Sequence, residues 1–225
     1  MSFVDFIFPK QCLRCGRSGR YLCAKCISKV SLAKQICVEC EKPAIDGITH
    51  IKCKKAWGID GLVSVWVYEG VVRRGIVKLK YKFAFDIARE LAKLASIFLK
   101  TRLTALPKKI LLTTVPLHSF RKNWRGFNQS EEIGKLIASE MGWQFFPEML
   151  IRRVQKTPQT ELGGEERRKN VLGVFAINPK YEIRQIKYDI IVFDDVITTG
   201  STLKEVVKVL KRNGAKRAWG LTIAR

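Results

Sequence analysis

Long apolar runs, internal repeats and low-complexity tracts are all missing from this 225-residue sequence. No apolar stretch approaches the ~18 residues that a membrane-spanning helix needs, which predicts a chain without a membrane span. The first nine residues lack the basic segment and the cleavage site of a signal peptide, so a cytoplasmic location is expected. Because 47% of the residues are hydrophobic, the chain is expected to fold around a core.

Acidic residues are also scarce, since 20 Asp and Glu stand against 42 Lys and Arg, for a formal net charge of +22. Such a charge favours long-range attraction to polyanions, among them nucleic acid, an anionic membrane surface and phosphorylated substrates. The basic residues are spread along the whole chain, so they mark no single binding face. A generally basic surface without a specific partner therefore stays an alternative.

Cysteine is absent after residue 53, and all seven cysteines precede that point: Cys12, Cys15, Cys23, Cys26, Cys37, Cys40 and Cys53. In a cytosolic chain this clustering favours a metal over disulfides. Each C-x₂-C turn lets two thiolates reach one tetrahedral ion, and a segment this short needs the metal to fold. We therefore predict a zinc-binding module over residues 1–57 and a second domain over residues 58–225.

The cysteine spacing gives one complete zinc site and one incomplete site. Cys12, Cys15, Cys23 and Cys26 form two C-x₂-C turns and thus a full set of four ligands. The second set is one ligand short, because Ala56 stands where a further cysteine is expected. His50 is one candidate for the missing ligand, and a weak or empty second site is the other reading. An interleaved arrangement of the first and third turns also stays open.

The rest of the sequence alternates between strand and helix patterns, which predicts an α/β domain. Strands are predicted over residues 62–68, 110–115, 190–193 and 218–224. Amphipathic helices are predicted over residues 71–81, 87–99 and 131–141, and after residue 202.

The most specific motif is D-D-V-I-T-T-G-S-T, which follows the apolar run of residues 190–193. In an open α/β sheet, ligands bind at the carboxyl ends of the strands, where the next helix begins. Asp194 and Asp195 come at that point and suit a ribose diol or Mg²⁺. The N–H groups and hydroxyls that follow suit a phosphate, and the residues are Thr198, Thr199, Gly200, Ser201 and Thr202. The plain alternative is a strand, an acidic turn and a helix cap.

Two basic segments are candidates for contacts with a diphosphate. The first follows Pro116, Leu117 and His118, and its Arg121, Lys122 and Arg125 could clamp a pyrophosphate. A solvated basic face is an equal interpretation, and His118 fits a structural histidine better than a base. The second begins at Arg152 and Arg153 and contains Pro158, Gly163 and Gly164, which suits a water-excluding lid or an ordinary surface loop.

Taken in order, these features resemble the ComF family of amidophosphoribosyltransferase-like proteins associated with natural competence. The cysteine module is followed by V-P-L, R-G-F-N-Q, K-T-P-Q-T-x-L, R-x-x-N and D-D-V-I-T-T-G-S-T, and the resemblance covers essentially the whole chain. Ala56 departs from the family pattern at the second metal site.

The resemblance implies a type I phosphoribosyltransferase fold, a Rossmann-like parallel sheet flanked by helices, preceded by a double-zinc-ribbon-like segment. It implies that Asp194 and Asp195 contact the ribose of phosphoribosyl pyrophosphate (PRPP), directly or through Mg²⁺. Residues 198–202 would hold its 5′-phosphate. The pyrophosphate loop would then lie at Pro116, Leu117, Arg121 and Arg125. The lid would lie at Arg152 and Arg153. The reaction that the resemblance implies requires no nucleophilic side chain, and the sequence does not identify the acceptor of the phosphoribose.

Three functions compete at this point. The chain is an enzyme that transfers phosphoribose to an acceptor, or a single-stranded-DNA-binding protein that uses the PRPP fold as a scaffold. In the third, weaker hypothesis the zinc module docks a partner, such as the helicase-like protein of the DNA-uptake machinery.

Overall fold

The computed structural model describes residues 10–79, 85–102, 104, 109–117, 127–153 and 173–225. The strands are β1 (Gly61–Trp66), β2 (Ile110–Thr114), β3 (Gln144–Phe145), β4 (Leu150–Arg152), β5 (Phe175–Ile177), β6 (Asp189–Val196) and β7 (Ala218–Ala224). The α-helices are α1 (Ala24–Ile27), α2 (Gly70–Lys78), α3 (Phe85–Arg102), α4 (Gln129–Met141) and α5 (Ser201–Arg212). Short 3₁₀ turns lie at Ile45–Gly47, Ile51–Cys53, Pro147–Met149 and Ile183–Gln185.

Five of these strands form a parallel sheet in the order β1-β7-β6-β2-β3. Strand β6 lies in the middle, and its residues 190–193 are buried on both faces. A strand covered on both sides has no polar face, which explains the continuous apolar run in the sequence. Strands β4 and β5 pair with each other as a separate antiparallel hairpin.

Each face of the sheet has its own apolar core. On the first face, helices α2, α3 and α4 pack against strand residues such as Val63, Ile191 and Phe193. On the second face, α5 packs against the sheet and the β4–β5 hairpin through the stripe Leu203, Val206, Val207 and Leu210. This stripe is the one that the 3.6-residue periodicity predicts.

The cysteine-rich segment runs along the open edge of β1 and reaches both cores. Antiparallel bridges join Leu32 to Trp66 and Ile48 to Gly61. Cys12, Leu22, Cys23, Cys26 and Val30 belong to the first core, and Val38 belongs to the second. The segment therefore covers a sheet edge that would otherwise expose unpaired backbone groups.

The structure confirms the predicted α/β class, with a parallel sheet flanked by helices behind a cysteine-rich N-terminal segment. Helix α4 begins two residues before its predicted start, because Asn128 caps it and accepts a 3.0 Å hydrogen bond from Ser130 N–H. The division of the chain at residue 58 stays a prediction. Within the part of the chain that the structure describes, no helix is long and apolar enough to cross a bilayer.

Candidate functional site: two zinc clusters and the carboxyl edge of the sheet

The first cysteine cluster brings together Cys12, Cys15, Cys23 and Cys26 as the sequence predicts. Their sulfur atoms all lie within 4.8 Å of one another. The sulfurs of Cys15 and Cys23 are 3.7 Å apart, and four sulfurs placed ~2.3 Å from a tetrahedral Zn²⁺ are about 3.8 Å apart. The cluster therefore has the dimensions of a zinc site.

The acidity of these thiols also fits a bound cation. Burial raises the pKa of Cys12, but backbone hydrogen bonds at Arg14, Cys15 and Cys23 outweigh it and lower the pKa to about 6. For Cys26, burial and then the neighbouring sulfurs raise the pKa to about 12. Four thiolates this close need a central positive charge, which Zn²⁺ supplies.

The second cluster consists of Cys37, Cys40, His50 and Cys53, whose ligand atoms also lie within 4.8 Å of one another. His50 thus takes the place left open by Ala56. The Nδ1 atom of His50 lies 3.3 Å from the sulfur of Cys40, while its Nε2 atom lies 3.1 Å from the carbonyl oxygen of Pro43. If Nε2–H donates to that carbonyl, the ring is held in the tautomer that leaves Nδ1 free for a metal.

The two clusters follow each other along the chain. The first takes both of its C-x₂-C turns from residues 12–26, and the second uses residues 37–53. The interleaved pairing of turns that the sequence left open is therefore absent among the described residues. A Cys₄ and a Cys₃His set are both typical of structural zinc.

The acid pair lies at the carboxyl end of the central strand, where helix α4 meets it. Ser130 Oγ donates a 3.3 Å hydrogen bond to Asp194 Oδ1, and Gln129 Nε2 donates a 3.1 Å bond to Asp195 Oδ2. Asn128 Nδ2 donates to the carbonyl oxygen of Val115 at the end of β2. The segment R-G-F-N-Q-S thus supplies three polar residues that fix the strand ends next to the acids.

The environment of Asp194 favours its protonated form. Burial of the carboxyl group and then the adjacent charge of Asp195 raise the pKa of Asp194 well above its usual range. Hydrogen bonds from the N–H of Asp195 and from Ser130 oppose this rise without cancelling it. Two close carboxylates that resist joint ionisation are suited to a cation or to the hydroxyls of a sugar.

The loop of residues 198–202, named the phosphate loop after its predicted ligand, connects the acid pair to helix α5. Gly200 has φ +73° and occupies the N-cap position, so the cap residue itself has no side chain that could accept from the helix. No acidic residue lies in the first turn. The Thr199 and Ser201 hydroxyls lie 2.7 Å apart at the start of the helix, and the N–H of Ser201 donates a 3.4 Å hydrogen bond to Thr199 Oγ1. This arrangement of donors, together with the helix dipole, can bind an anion.

The second zinc knuckle (residues 37–40) packs against this loop. A Cβ atom built on Gly200 would lie 3.3 Å from Val38 Cγ2 and 3.2 Å from Ile197 Cδ1. Glu39 is within 3.5 Å of the Lys204 ammonium and 2.7 Å of the Lys55 ammonium. Between the knuckle, Trp57 and helix α5 there is a cavity of about 590 Å³, whose walls include Thr199 and Ser201.

The remaining predicted residues are placed only in part. Pro116 and Leu117 follow β2 next to the acid pair, on the edge where Val115 contacts Asn128. Arg152 lies on β4 with its guanidinium 5.5 Å from the centre of the Phe175 ring, and Arg153 is exposed. His118, Arg121, Lys122, Arg125 and residues 156–170 lie outside the described residues.

Sequence reasoning missed several residues that the site uses. Gln129 occurs in the R-G-F-N-Q motif and Ser130 follows it directly, but the motif assigns neither of them to the acid pair, to which both donate. Val38 and Glu39 were not considered at all. The available signal was their position inside a C-x₂-C turn, but spacing alone does not tell which surface such a turn contacts.

Comparison with known proteins supports the two-part organisation. Residues 3–55 match the model of the double zinc ribbon domain. Together with the geometry, this match identifies the clusters as structural zinc sites. The chain is 30% identical over 203 residues to "DNA utilization protein YhgH" of Salmonella typhi, and the matched region covers 86% of each chain. It is 29% identical over 214 residues to "Competence protein F" of Haemophilus influenzae, covering 90% of this chain and 84% of that one.

Among solved structures, similarity is found to glutamine PRPP amidotransferase from B. subtilis in complex with ADP and GMP, with a TM-score of 0.41 and 12% identity. A second is the allosteric regulatory enzyme of purine biosynthesis, with a TM-score of 0.38 and 17% identity. Each match covers 65% of this chain, but only 30% and 29% of the two solved chains.

Proposed function

Because the chain belongs to the ComF family, the family of competence protein F and DNA utilization protein YhgH, we propose that it is a PRPP-binding protein of DNA uptake. The proposed activity is transfer of phosphoribose to an acceptor. Its acceptor is a nucleophile whose identity the site does not specify.

One observation carries the proposal: the acid pair and the phosphate loop lie next to each other on the same strand-to-helix connection, and polar residues of α4 hold the acids in place. Asp194 and Asp195 lie at the end of β6, whose last residue is Val196, and Ser201 begins α5 five residues after Val196. A phosphorylated sugar needs hydrogen-bond donors for its phosphate and hydrogen-bond acceptors for its hydroxyl groups. The connection from β6 to α5 offers both, because the acceptors lie at the end of the strand and the donors lie at the start of the helix.

In this proposal the phosphate loop binds the 5′-phosphate, through its N–H groups and through the hydroxyls of Thr198, Thr199, Ser201 and Thr202. Asp194 and Asp195 accept hydrogen bonds from the ribose hydroxyls. The same carboxylates are suitable ligands for Mg²⁺, which prefers oxygen donors and substrate phosphates. When bound, Mg²⁺ would neutralise charge on the diphosphate.

The reaction would be a displacement at the anomeric carbon. The acceptor forms a bond to C1′, the bond from C1′ to the pyrophosphate oxygen breaks, and the electron pair leaves with pyrophosphate. The acceptor loses its proton to water or buffer. The two carboxylates would stabilise positive charge that develops on the ribose in the transition state.

The pyrophosphate is expected to bind beside Pro116 and Leu117, where backbone groups at the end of β2 are close to the acids. Arg121 and Arg125 follow this turn in sequence and would add charge-assisted hydrogen bonds. Arg152 and Arg153 precede the segment proposed as the lid. These four arginines are assigned from the family resemblance.

The experiment is a calorimetric titration of the zinc-loaded protein with PRPP, with and without Mg²⁺. The expected result is magnesium-dependent binding that is lost in Asp194→Asn/Asp195→Asn. Asp189→Asn is the matched control, since Asp189 lies at the other end of the same strand and pairs with Arg217. No binding to folded wild-type protein would refute the proposal.

A second candidate function is binding of single-stranded DNA without catalysis. The net charge of +22 supports it, as do the names of the relatives. Binding dominated by phosphate contacts must weaken steeply as salt increases, because counterions are released. Fluorescence anisotropy with a labelled oligonucleotide at increasing NaCl tests this. An affinity that does not change with salt would exclude DNA binding of this kind.

A further inference from the structure

The second zinc knuckle contacts the phosphate loop through residues that lie between its own metal ligands. Val38 and Glu39 separate Cys37 from Cys40. Val38 approaches the Cα of Gly200 so closely that a methyl group there would lie 3.3 Å from its Cγ2 atom. Val38 is only 6% exposed, so this contact is part of the second core.

Glu39 makes the second contact, by ion pairs with a lysine on either side. Its Oε1 atom is 3.5 Å from Lys204 in the first turn of α5, and its Oε2 atom is 2.7 Å from Lys55. The side chain of Glu39 is 12% exposed, whereas Lys204 is 34% exposed. The carboxylate therefore lies beneath the lysines and holds the Lys204 ammonium near the start of the helix.

The position of Lys204 is unusual for a helix without a ligand. A cation in the first turn is unfavourable next to the positive end of the helix dipole. Glu39 offsets part of this cost, and an anion on the phosphate loop would offset more. The contact therefore joins the metal-bound knuckle to the place where an anion would bind.

From these contacts we propose that Val38 and Glu39 are positioning residues of the phosphate loop, and that zinc in the second cluster and an anion on the loop strengthen each other's binding. This inference rests on the proposed anion site and goes beyond it, since it makes the Cys37, Cys40, His50 and Cys53 cluster part of that site. The first cluster packs on the opposite face of the sheet and takes no part.

Coupling of this kind is reciprocal. If zinc orders the knuckle, and the knuckle orders the loop, zinc raises the affinity for the anion by some factor. The anion must then raise the affinity for zinc by the same factor. A purely structural role for the metal would lower stability without linking the two binding events.

The test uses ribose 5-phosphate as the probe and the full chain with both zinc ions. Glu39→Gln keeps every zinc ligand but removes the ion pairs with Lys204 and Lys55. Loss of the negative charge alone would strengthen anion binding, so weaker binding can only come from lost positioning of the loop. We expect lost positioning to dominate and to weaken probe binding by about two- to fivefold, as for loss of a partly exposed ion pair. Glu41→Gln is the matched control. Glu41 lies in the same cavity wall and makes no ion pair with a described residue, so Glu41→Gln removes a charge without removing an ion pair and should not weaken probe binding.

The second measurement is the rate at which a chromogenic chelator removes zinc. Saturating probe should slow removal of one of the two zinc ions in wild-type protein, and this protection should be reduced in Glu39→Gln. Equal protection of both ions, or equal protection in wild type and Glu39→Gln, would overturn the inference.

Failure of the proposed function can be told apart from failure of this inference. If neither PRPP nor the probe binds, the proposed function fails, and hydrogen exchange then tests the coupling by itself. Amides of residues 198–203 should exchange faster in Cys53→Ser than in Cys15→Ser, which alters the first cluster. Equal exchange rates in these two variants would overturn the coupling. If the probe binds Glu39→Gln as tightly as wild type, the coupling is also overturned, but the proposed function is left intact.

Discussion

Gln129 Nε2 donates a 3.1 Å hydrogen bond to Asp195 Oδ2 and so joins two segments that are 66 residues apart in sequence. Gln129 is the first residue of α4, and Asp195 is near the end of β6. Gln129 is 4% exposed. This buried amide and the N–H of Val196, which donates to Asp195 Oδ1, together hold the carboxylate in one orientation.

Gln129→Ala should therefore weaken PRPP–Mg²⁺ binding by about 1.5–3 kcal/mol, the range for losing a hydrogen bond to a charged group. The reason is that Asp195 loses its orientation and gains freedom to rotate. Titration calorimetry gives the affinity, and the zinc content checks that the fold is retained. Gln144→Ala removes the bond to Tyr188 and serves as the control. Equal affinities for the two variants would show that Gln129 does not position the acid.

The stability of the protein should depend on pH through Asp194. Burial and the charge of Asp195 raise its pKa in the folded state, so above the ordinary carboxyl value the folded chain binds more protons here than the unfolded chain. The contribution of this group to stability therefore falls as pH rises through that window. Asp194→Asn cannot titrate, and its stability relative to wild type should rise with pH over the range above the ordinary carboxyl pKa.

Urea unfolding of both proteins across this range measures the difference, and effects of the zinc ligands cancel because both proteins contain them. Asp189→Asn is the comparison, since it breaks an ion pair with Arg217 and should lose up to about 1 kcal/mol at neutral pH. A stability difference for Asp194→Asn that falls with rising pH would contradict the assignment.

The Cys₃His composition of the second cluster leads to a simple prediction of stoichiometry. His50→Ala removes one of four ligands and should reduce the zinc content from two ions to one, or leave the second ion easily removed by a chelator. His50→Cys restores a fourth ligand and should retain both ions. Elemental analysis after dialysis gives the content. Two tightly held ions in His50→Ala would show that His50 is not a ligand.

Removal of residues 1–57 should damage the whole fold. The segment covers the edge of β1 and contributes to both cores, and its loss would expose apolar surface and unpaired strand groups. The shortened chain should aggregate or bind hydrophobic dyes, which light scattering and fluorescence detect. A soluble, cooperatively unfolding chain of residues 58–225 would contradict this and would favour the hypothesis of a separable docking module.

The local features of the site were predictable from the sequence. The apolar run at 190–193 is continuous, as in a strand buried on both faces, whereas the stripe of α5 repeats every three to four residues, so both positions follow from burial alone. Strand β7 was predicted with its observed bounds, Ala218–Ala224. The first zinc cluster also followed from spacing, because two C-x₂-C turns already contain a complete ligand set.

The features that the sequence could not predict or decide all depend on how distant segments meet. The sequence names His50 as a candidate ligand, but only the 3₁₀ turns and the bridge at Gly61 bring it beside Cys40. Gln129 and Ser130 reach the acids only because β2 and β6 are neighbours in the sheet. Val38 contacts Gly200 only because the segment wraps around β1. Periodicity and spacing carry no information about such pairings.

The most direct test of the proposed site is the change in backbone amide chemical shifts when PRPP and Mg²⁺ are added to ¹⁵N-labelled protein. The account predicts large shifts for Asp194, Asp195 and residues 198–202, with smaller ones at Gln129 and Ser130. Shifts confined to other parts of the chain, or no shifts at saturating PRPP, would contradict the central claim that this strand end is a phosphoribosyl site.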